Sequence, residues 1–415
     1  MADVSTGLFE GAKSAVTLVI GLVGGMCFML GIMKVAFDGG LRDAIARLLA
    51  PLLRRMFPDV PADHPAMGAM VMNMACNIMG LGNAATPFGL KAMVELSKLN
   101  PHPGTASNAM VLFLAINTSA ITLMPPTGTI FVRSAAGSAH PEAVWIPTLI
   151  ATTCSTLAAV SAYYLLRRLT VFQPPATGTA AAGDGSPPPD FGEVEIPAAS
   201  GPREPMGLGR SILVYGSAAA VLVALVLEGL RLAEEVGASG AIKTLVQTWS
   251  FPLLIGGLLL IGVAGRVRVY DSMVEGAKEG LEVAVRIVPY LVAILTAVAM
   301  FRESGALDMF IALVSPLTTP LGVPAEVLPM ALLRPFSGSG AFGIMSETLT
   351  AYGPDSFIGL LTSTLQGSTE TTFYVLALYL GAARVADGRH TLAACLTGDV
   401  AGFVGAVAAC HVFFG

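Results

Sequence analysis

The stretch LLTSTLQGSTETTFYVLALYL, residues 360–380, sets one carboxylate, Glu370, inside a run otherwise composed for lipid. From Phe357 to Ala383 there is no other charge, and Glu370 is the central residue of that span. A charged side chain at mid-bilayer costs about 2.5–3.5 kcal/mol on insertion scales, so it is expected to face protein or water. Gln366, Ser368, Thr369, Thr371 and Thr372 supply polar company, and Gly367 lets the backbone open there. A carboxylate at that depth suits the binding and release of a proton, or the ligation of Na⁺ together with nearby hydroxyls. The structural alternative is an interhelical hydrogen bond, worth about 0.6 kcal/mol on average.

Composition gives the surroundings. The 415 residues are 54% hydrophobic and 12% charged, against about 25% charged in an ordinary soluble domain, and the mean hydropathy is +0.72. The expected fold is all-α, a polytopic transmembrane helical bundle, because a helix satisfies its own backbone in lipid. Barrel strands would alternate polar and apolar residues, and these stretches do not. The net charge of −5 is spread over loops, so nucleic acid is not an expected partner. Five cysteines (Cys27, Cys76, Cys154, Cys395, Cys410) are dispersed without metal spacing. HExxH and GxSxG are both absent, so no catalytic residue, metal site or cofactor is expected and the chain does not read as an enzyme. The N-terminus lacks a basic segment and a cleavage site, so the first helix is expected to stay in the mature protein.

Spans are expected at roughly 14–37, 143–166, 211–230, 249–264, 281–301, 355–382 and 391–413. Two more apolar regions are interrupted. In 64–97, Asn73, Asn77, Gly80, Gly82, Asn83 and Pro87 favour a broken helix or a re-entrant hairpin. In 104–131, Asn117, Thr118 and Ser119 precede Pro125 and Pro126, which end or kink a helix. Residues 171–208 turn to Pro, Gly, Ala and acidic residues and read as a flexible linker between membrane modules at 1–170 and 209–415.

The modules echo each other. EGAK at Glu10 aligns with EGAK at Glu275, after which Gly40 and Asp43 meet Gly305 and Asp308 without a gap. VPAD at Val60 matches VPAE at Val323, and NTSAIT at Asn117 falls opposite GSTETT at Gly367. Arg42, Arg47, Arg54 and Arg55, then Arg167, Arg168, Arg266 and Arg268, mark cytoplasmic ends. On that basis the two EGAK helices start on opposite sides, as in the inverted repeats of secondary transporters, whose sites lie between broken helices at the midplane.

CNIMGLGNAATPFGLKAM, Cys76 to Met93, resembles the signature of the spore maturation protein A family. EVLPMALLRPFSGSGAFGI, Glu326 to Ile344, and the segment Gly353 to Ala382 resemble spore maturation protein B. Outside the linker the whole chain is covered, as a fusion of the two. Both belong to the nucleoside recognition, or Gate, group, and the resemblance implies movement of a small solute or a role in spore core dehydration. The long linker and the fusion depart from the family pattern and leave the sporulation role open.

The other candidates follow the same logic. In RPFSGSGAFG, Ser337 and Ser339 with the glycines can aim backbone N–H groups at an anion, while Arg334 can pair with an anion or lock helices through Glu370 or Glu347. Asn73, Asn77, Asn83, Asn117 and Ser119 suit a neutral polar ligand or the shell of an ion, with amide glue between helices as the alternative. The expectation is a secondary transporter of a small polar or anionic metabolite, nucleoside-like or a carboxylate, coupled to Na⁺ or H⁺ through Glu370. It would sit in the lipid bilayer of the cytoplasmic (inner) membrane, with a homo-oligomer left open. The rival is a non-transporting membrane scaffold in envelope or spore maturation.

Overall fold

Gly40 and Gly305, paired by the sequence repeat, both take a positive φ, 90° and 75°, between consecutive helices. That left-handed conformation costs an ordinary L residue roughly 1–2 kcal/mol, so glycine is the residue for the turn. The computed structural model describes residues 2–80, 82–124, 127–173, 207–318 and 322–415. Around Gly40 stand α1 (Ala2–Asp38) and α2 (Leu41–Met56), followed by α3 (Pro65–Ile78), α4 (Gly82–Lys98), α5 (Asn108–Thr118), α6 (Thr127–Ala135) and α7 (Trp145–Leu166). The long α8 (Leu208–Ala264) bends at Gly237, whose φ of 77° is not helical. A second series then runs through α9 (Val269–Glu303), α10 (Ala306–Thr318), α11 (Leu328–Leu333), α12 (Gly338–Tyr352), α13 (Phe357–Ser368), α14 (Thr372–Ala382) and α15 (Thr391–Phe414).

Among the described residues, three stretches, Pro141–Leu166, Gly209–Glu235 and Thr391–Phe414, are long and apolar enough to cross a membrane, and a fourth joins them if Val23–Asp38 and Leu41–Met56 form one bent span. The chain is therefore all-helical with several membrane-length apolar helices, which marks a multi-pass membrane protein. Regions 64–97 and 104–131 are broken as their Asn, Gly and Pro content requires. Region 355–382, expected as one continuous span, is instead two helices separated by residues 369–371, with Thr369 extended at φ −147° and ψ 167°. A run of Ser and Thr, whose hydroxyls compete for backbone groups, favours such an exit from the helix. Most of the expected linker, residues 174–206, lies outside the described residues.

The chain forms two compact units. One comprises Ile20–Ile45 and Pro197–Arg286. Within it α1 crosses α8 and α9 at glycines: a Cβ on Gly39 would lie 2.7 Å from the Ile261 carbonyl oxygen, and one on Gly276 would lie 2.5 Å from that of Leu30. Ser272 donates to Asp38 at 2.6 Å across the same contact.

The other unit comprises Met1–Val19, Ala46–Ile196 and Ile287–Gly415. Its main seam pairs α7 with α15. Gly398 faces Ala159, Gly402 faces Ser155 and Gly405 faces Cys154 and Ala151, so the two helices run antiparallel with backbones drawn together by small residues. The core beside this seam takes Met70, Met93, Met110 and Phe113 from before the linker and Leu376, Tyr379, Ala394 and Cys395 from after it. The compact units thus cut the chain differently from the modules 1–170 and 209–415.

Candidate functional site

The break between α13 and α14 is held open by Arg334. The residue is only 8% exposed. It donates to the Gln366 carbonyl at 2.9 Å, to the Thr371 hydroxyl at 3.1 Å and to the Thr369 carbonyl. The last carbonyls of any helix lack intrahelical partners and form the negative end of its dipole, so a buried cation there satisfies both needs. Arg334 thus ties the junction together through carbonyls and a hydroxyl.

The segment after Arg334 closes the same junction. Ser337 caps α12, accepting from the Gly340 amide at 3.0 Å. The Gln366 side-chain amide donates to the Gly338 carbonyl at 3.4 Å, and the Phe373 amide donates to the Pro335 carbonyl at 3.0 Å. Phe336 stacks on Phe373 with ring centroids 4.5 Å apart. Ser339 is half-buried in the first turn of α12.

A second break abuts the first. After α5 the chain leaves the helix at Ser119, and the backbone N–H of Glu370 donates to the Thr118 carbonyl at 2.8 Å. Glu370 itself is half-buried in non-helical backbone, while Ser368 and Thr369 are buried beside it. Ser119 donates back to the Ala115 carbonyl at 2.7 Å, and the Thr156 hydroxyl of α7 donates to the Ser119 carbonyl. The NTSAIT and GSTETT segments therefore lie in contact.

The asparagines extend this junction as a chain of amides. Asn77 donates to Asn117 at 2.9 Å and to Asn73 at 3.4 Å. Asn73 donates to the Ala85 carbonyl at 2.8 Å and to the Tyr379 hydroxyl at 3.4 Å, and Asn117 donates to the Phe113 carbonyl at 2.9 Å. Asn77, Met74, Ile116, Ala120 and Thr156 form part of the wall of a mostly apolar cavity of about 120 Å³. Asn83 is the second residue of α4, and its side chain lies outside the described residues.

Three contributors escaped the sequence reading. Asp399, in the interior of α15, accepts from the Thr372 hydroxyl at 2.8 Å, while its Oδ1 is sealed from solvent without a donor. Tyr379 ends the amide chain. Arg133, 0% exposed, donates to Asp355 at 2.9 Å, to Ser363 at 3.3 Å and to the Pro354 carbonyl at 2.6 Å, joining α6 to the start of α13. Burial works against the charge on Asp355, but the Ser138 hydroxyl, the Ala139 amide and Arg133 together outweigh it and hold this carboxyl below its usual range. A lone charge in an apolar run, the signal that exposed Glu370, was present for Asp399 and Arg133 as well.

The Gate family, described as nucleoside recognition, matches residues 19–134 and 284–385, more than half of the chain. The chain belongs to the Gate family. Each matched segment of this Gate protein contains one of the two abutting breaks, and the second contains both Arg334 and Glu370. The chain is also similar to spore maturation protein B of Bacillus subtilis (strain 168), 46% identical over 164 residues that make up 40% of this chain and 92% of that protein. To spore maturation protein A of the same organism it is 45% identical over 170 residues, 40% of this chain and 86% of that protein. These matches are consistent with a fused two-part Gate protein. No solved structure matches the chain.

Proposed function

We propose that this Gate protein is a secondary transporter rather than an enzyme. Its cargo is a small polar or anionic metabolite, nucleoside-like or a carboxylate, moved across the cytoplasmic membrane with H⁺ or Na⁺. The observation that carries the proposal is the contact between the two helix breaks, where the Glu370 amide meets the Thr118 carbonyl. Non-helical backbone at membrane depth is tolerated where protein buries it or where it lines a cavity, and broken helices at the meeting of two repeats are where secondary transporters place their sites. The antiparallel run of α7 and α15, the last helix of each series, supports halves of inverted orientation. Glu370 is then the carboxylate that meets the solute or its ion, with Gln366, Ser368, Thr369 and the Asn77–Asn117 pair around it.

The names of both relatives point to spore maturation, and within that setting the second reading is a non-transporting membrane scaffold. A thermal-shift screen of the purified protein against nucleosides, small carboxylates, phosphates, Na⁺ and pH separates the two. A ligand at about 100 times its Kd adds roughly 2.7 kcal/mol of stability. The transport reading expects a stabilising ligand whose effect is lost in Glu370→Gln. An absence of shifts across the panel, with both proteins folded, favours the scaffold.

A further inference from the structure

The charges at the junction do not balance. Glu370 and Asp399 both act electrostatically on Arg334, whose own hydrogen bonds go to two carbonyls and a hydroxyl. One permanent cation facing two carboxylates leaves a net negative charge when both are ionised. Away from water an uncompensated charge is expensive, so such a trio takes up one proton.

Both carboxylates are half-buried, but they are held differently. Glu370 is half-buried in the open backbone of the break. Asp399 projects from the interior of α15, with Thr372 donating to Oδ2 and nothing donating to the sealed Oδ1. An oxygen so placed is neutralised by carrying a proton of its own. Other titratable groups near the pair are Cys395, one turn earlier on α15 and bonded to Thr118, Tyr379 of α14, which faces Glu370, and Cys154 of α7 beside Gly405. None of these supplies a cation. A bound monovalent cation would cancel the same charge but needs several further oxygen ligands, whereas a proton needs none.

We propose that Asp399 carries the exchangeable proton of this site while Glu370 faces the solute. The coupling group then stands on α15, outside the matched Gate segments. The step is a proton transfer alone: the Oδ1–H bond forms with a proton taken from water on one side of the membrane and breaks to water on the other. Thr372 is the first residue of α14. An ionised Asp399 holds its hydroxyl by a charge-assisted bond, and protonation weakens that tether at the edge of the break. The role in coupling rests on the transport reading. The presence of the proton does not.

Infrared difference spectroscopy of the purified protein, titrated with pH without added solute, tests this directly. The native protein is expected to show a protonated-carboxyl stretch that fades as pH rises. The band should be lost in Asp399→Asn. It should survive in Glu370→Gln with its midpoint moved to lower pH, because Arg334 then serves one carboxylate. Thr372→Val, which removes only the Oδ2 donor, should keep the band and move its midpoint to higher pH, and this second variant serves if Asp399→Asn fails to fold. The assignment is overturned by a native protein without the band, by a band that persists in Asp399→Asn or is lost only in Glu370→Gln, or by a carboxylate stretch that answers to Na⁺ and not to pH. A protein that holds this proton yet carries no solute refutes transport and leaves the proton assignment standing.

Discussion

At the scale of single residues, Arg334 joins two duties. It ends α13 by satisfying the Gln366 and Thr369 carbonyls, and it is the cation for two carboxylates. Arg334→Met strips both at once, and removing one partner from a buried charged group costs about 3–5 kcal/mol. Denaturant or thermal unfolding in detergent should show a loss of that order. Arg334→Lys should recover only part of it, because a point charge cannot span two carbonyls and a hydroxyl. His390, just ahead of α15, is 0% exposed, packs near Tyr163 and Phe172, and has no hydrogen-bond partner on either ring nitrogen. Burial, with the charges of Arg389 and Arg167 adding to it, pushes this imidazole down to about 4. The unfolded chain therefore binds the proton more readily, so the stability that His390 contributes is complete above about 6.5 and is lost as pH falls toward 4. Unfolding near pH 5 should show roughly 2 kcal/mol less stability than near pH 8 from this group, and His390→Phe should flatten that slope. Glu370 and Arg334 were legible because a charge in an apolar run is conspicuous. Asp399 carries the same signal, but its segment reads as a plain span, and only the fold brings it to Thr372.

At the scale of elements, the breaks separate what sequence can specify from what it cannot. Asn, Gly and Pro announce the interruptions between α3 and α4 and between α5 and α6 by local chemistry. The break between α13 and α14 has no proline, and the partner that fixes it, Arg334, lies 35 residues upstream of Thr369. A tertiary contact decides that element. The α7–α15 seam is likewise a product of spacing, with Gly398, Gly402 and Gly405 on one helix meeting Ala159, Ser155 and Cys154 on the other. A Cβ on Gly405 would lie 2.9 Å from the Cβ of Cys154, so Gly405→Leu must push the helices apart. Overpacking of this kind costs about 1–3 kcal/mol. A lower unfolding midpoint for Gly405→Leu, beside an unchanged one for a substitution at exposed Val404, is the expected pattern.

At the scale of the whole molecule, one core draws on both sides of the linker. Phe113 and Tyr379 stack with centroids 6.2 Å apart, and Arg133 reaches Asp355 across the same divide. Cutting the chain within 174–206 should therefore leave two pieces that co-purify when made together, because what joins them is mostly buried apolar surface. Each piece made alone should aggregate or be degraded, and affinity capture through a tag on one piece reads the outcome. That same core also sets an order of events during synthesis. The partners of α5 and α7 on α15 begin at Thr391, more than 200 residues after α7 has ended. At about 5–20 residues per second, the early helices wait roughly ten to forty-five seconds before their last neighbour emerges. For nearly all of that interval Asn73 and Asn77 are in place and Tyr379 is not, so the newborn first half is expected to be open to insertion factors and proteases until its final helices arrive.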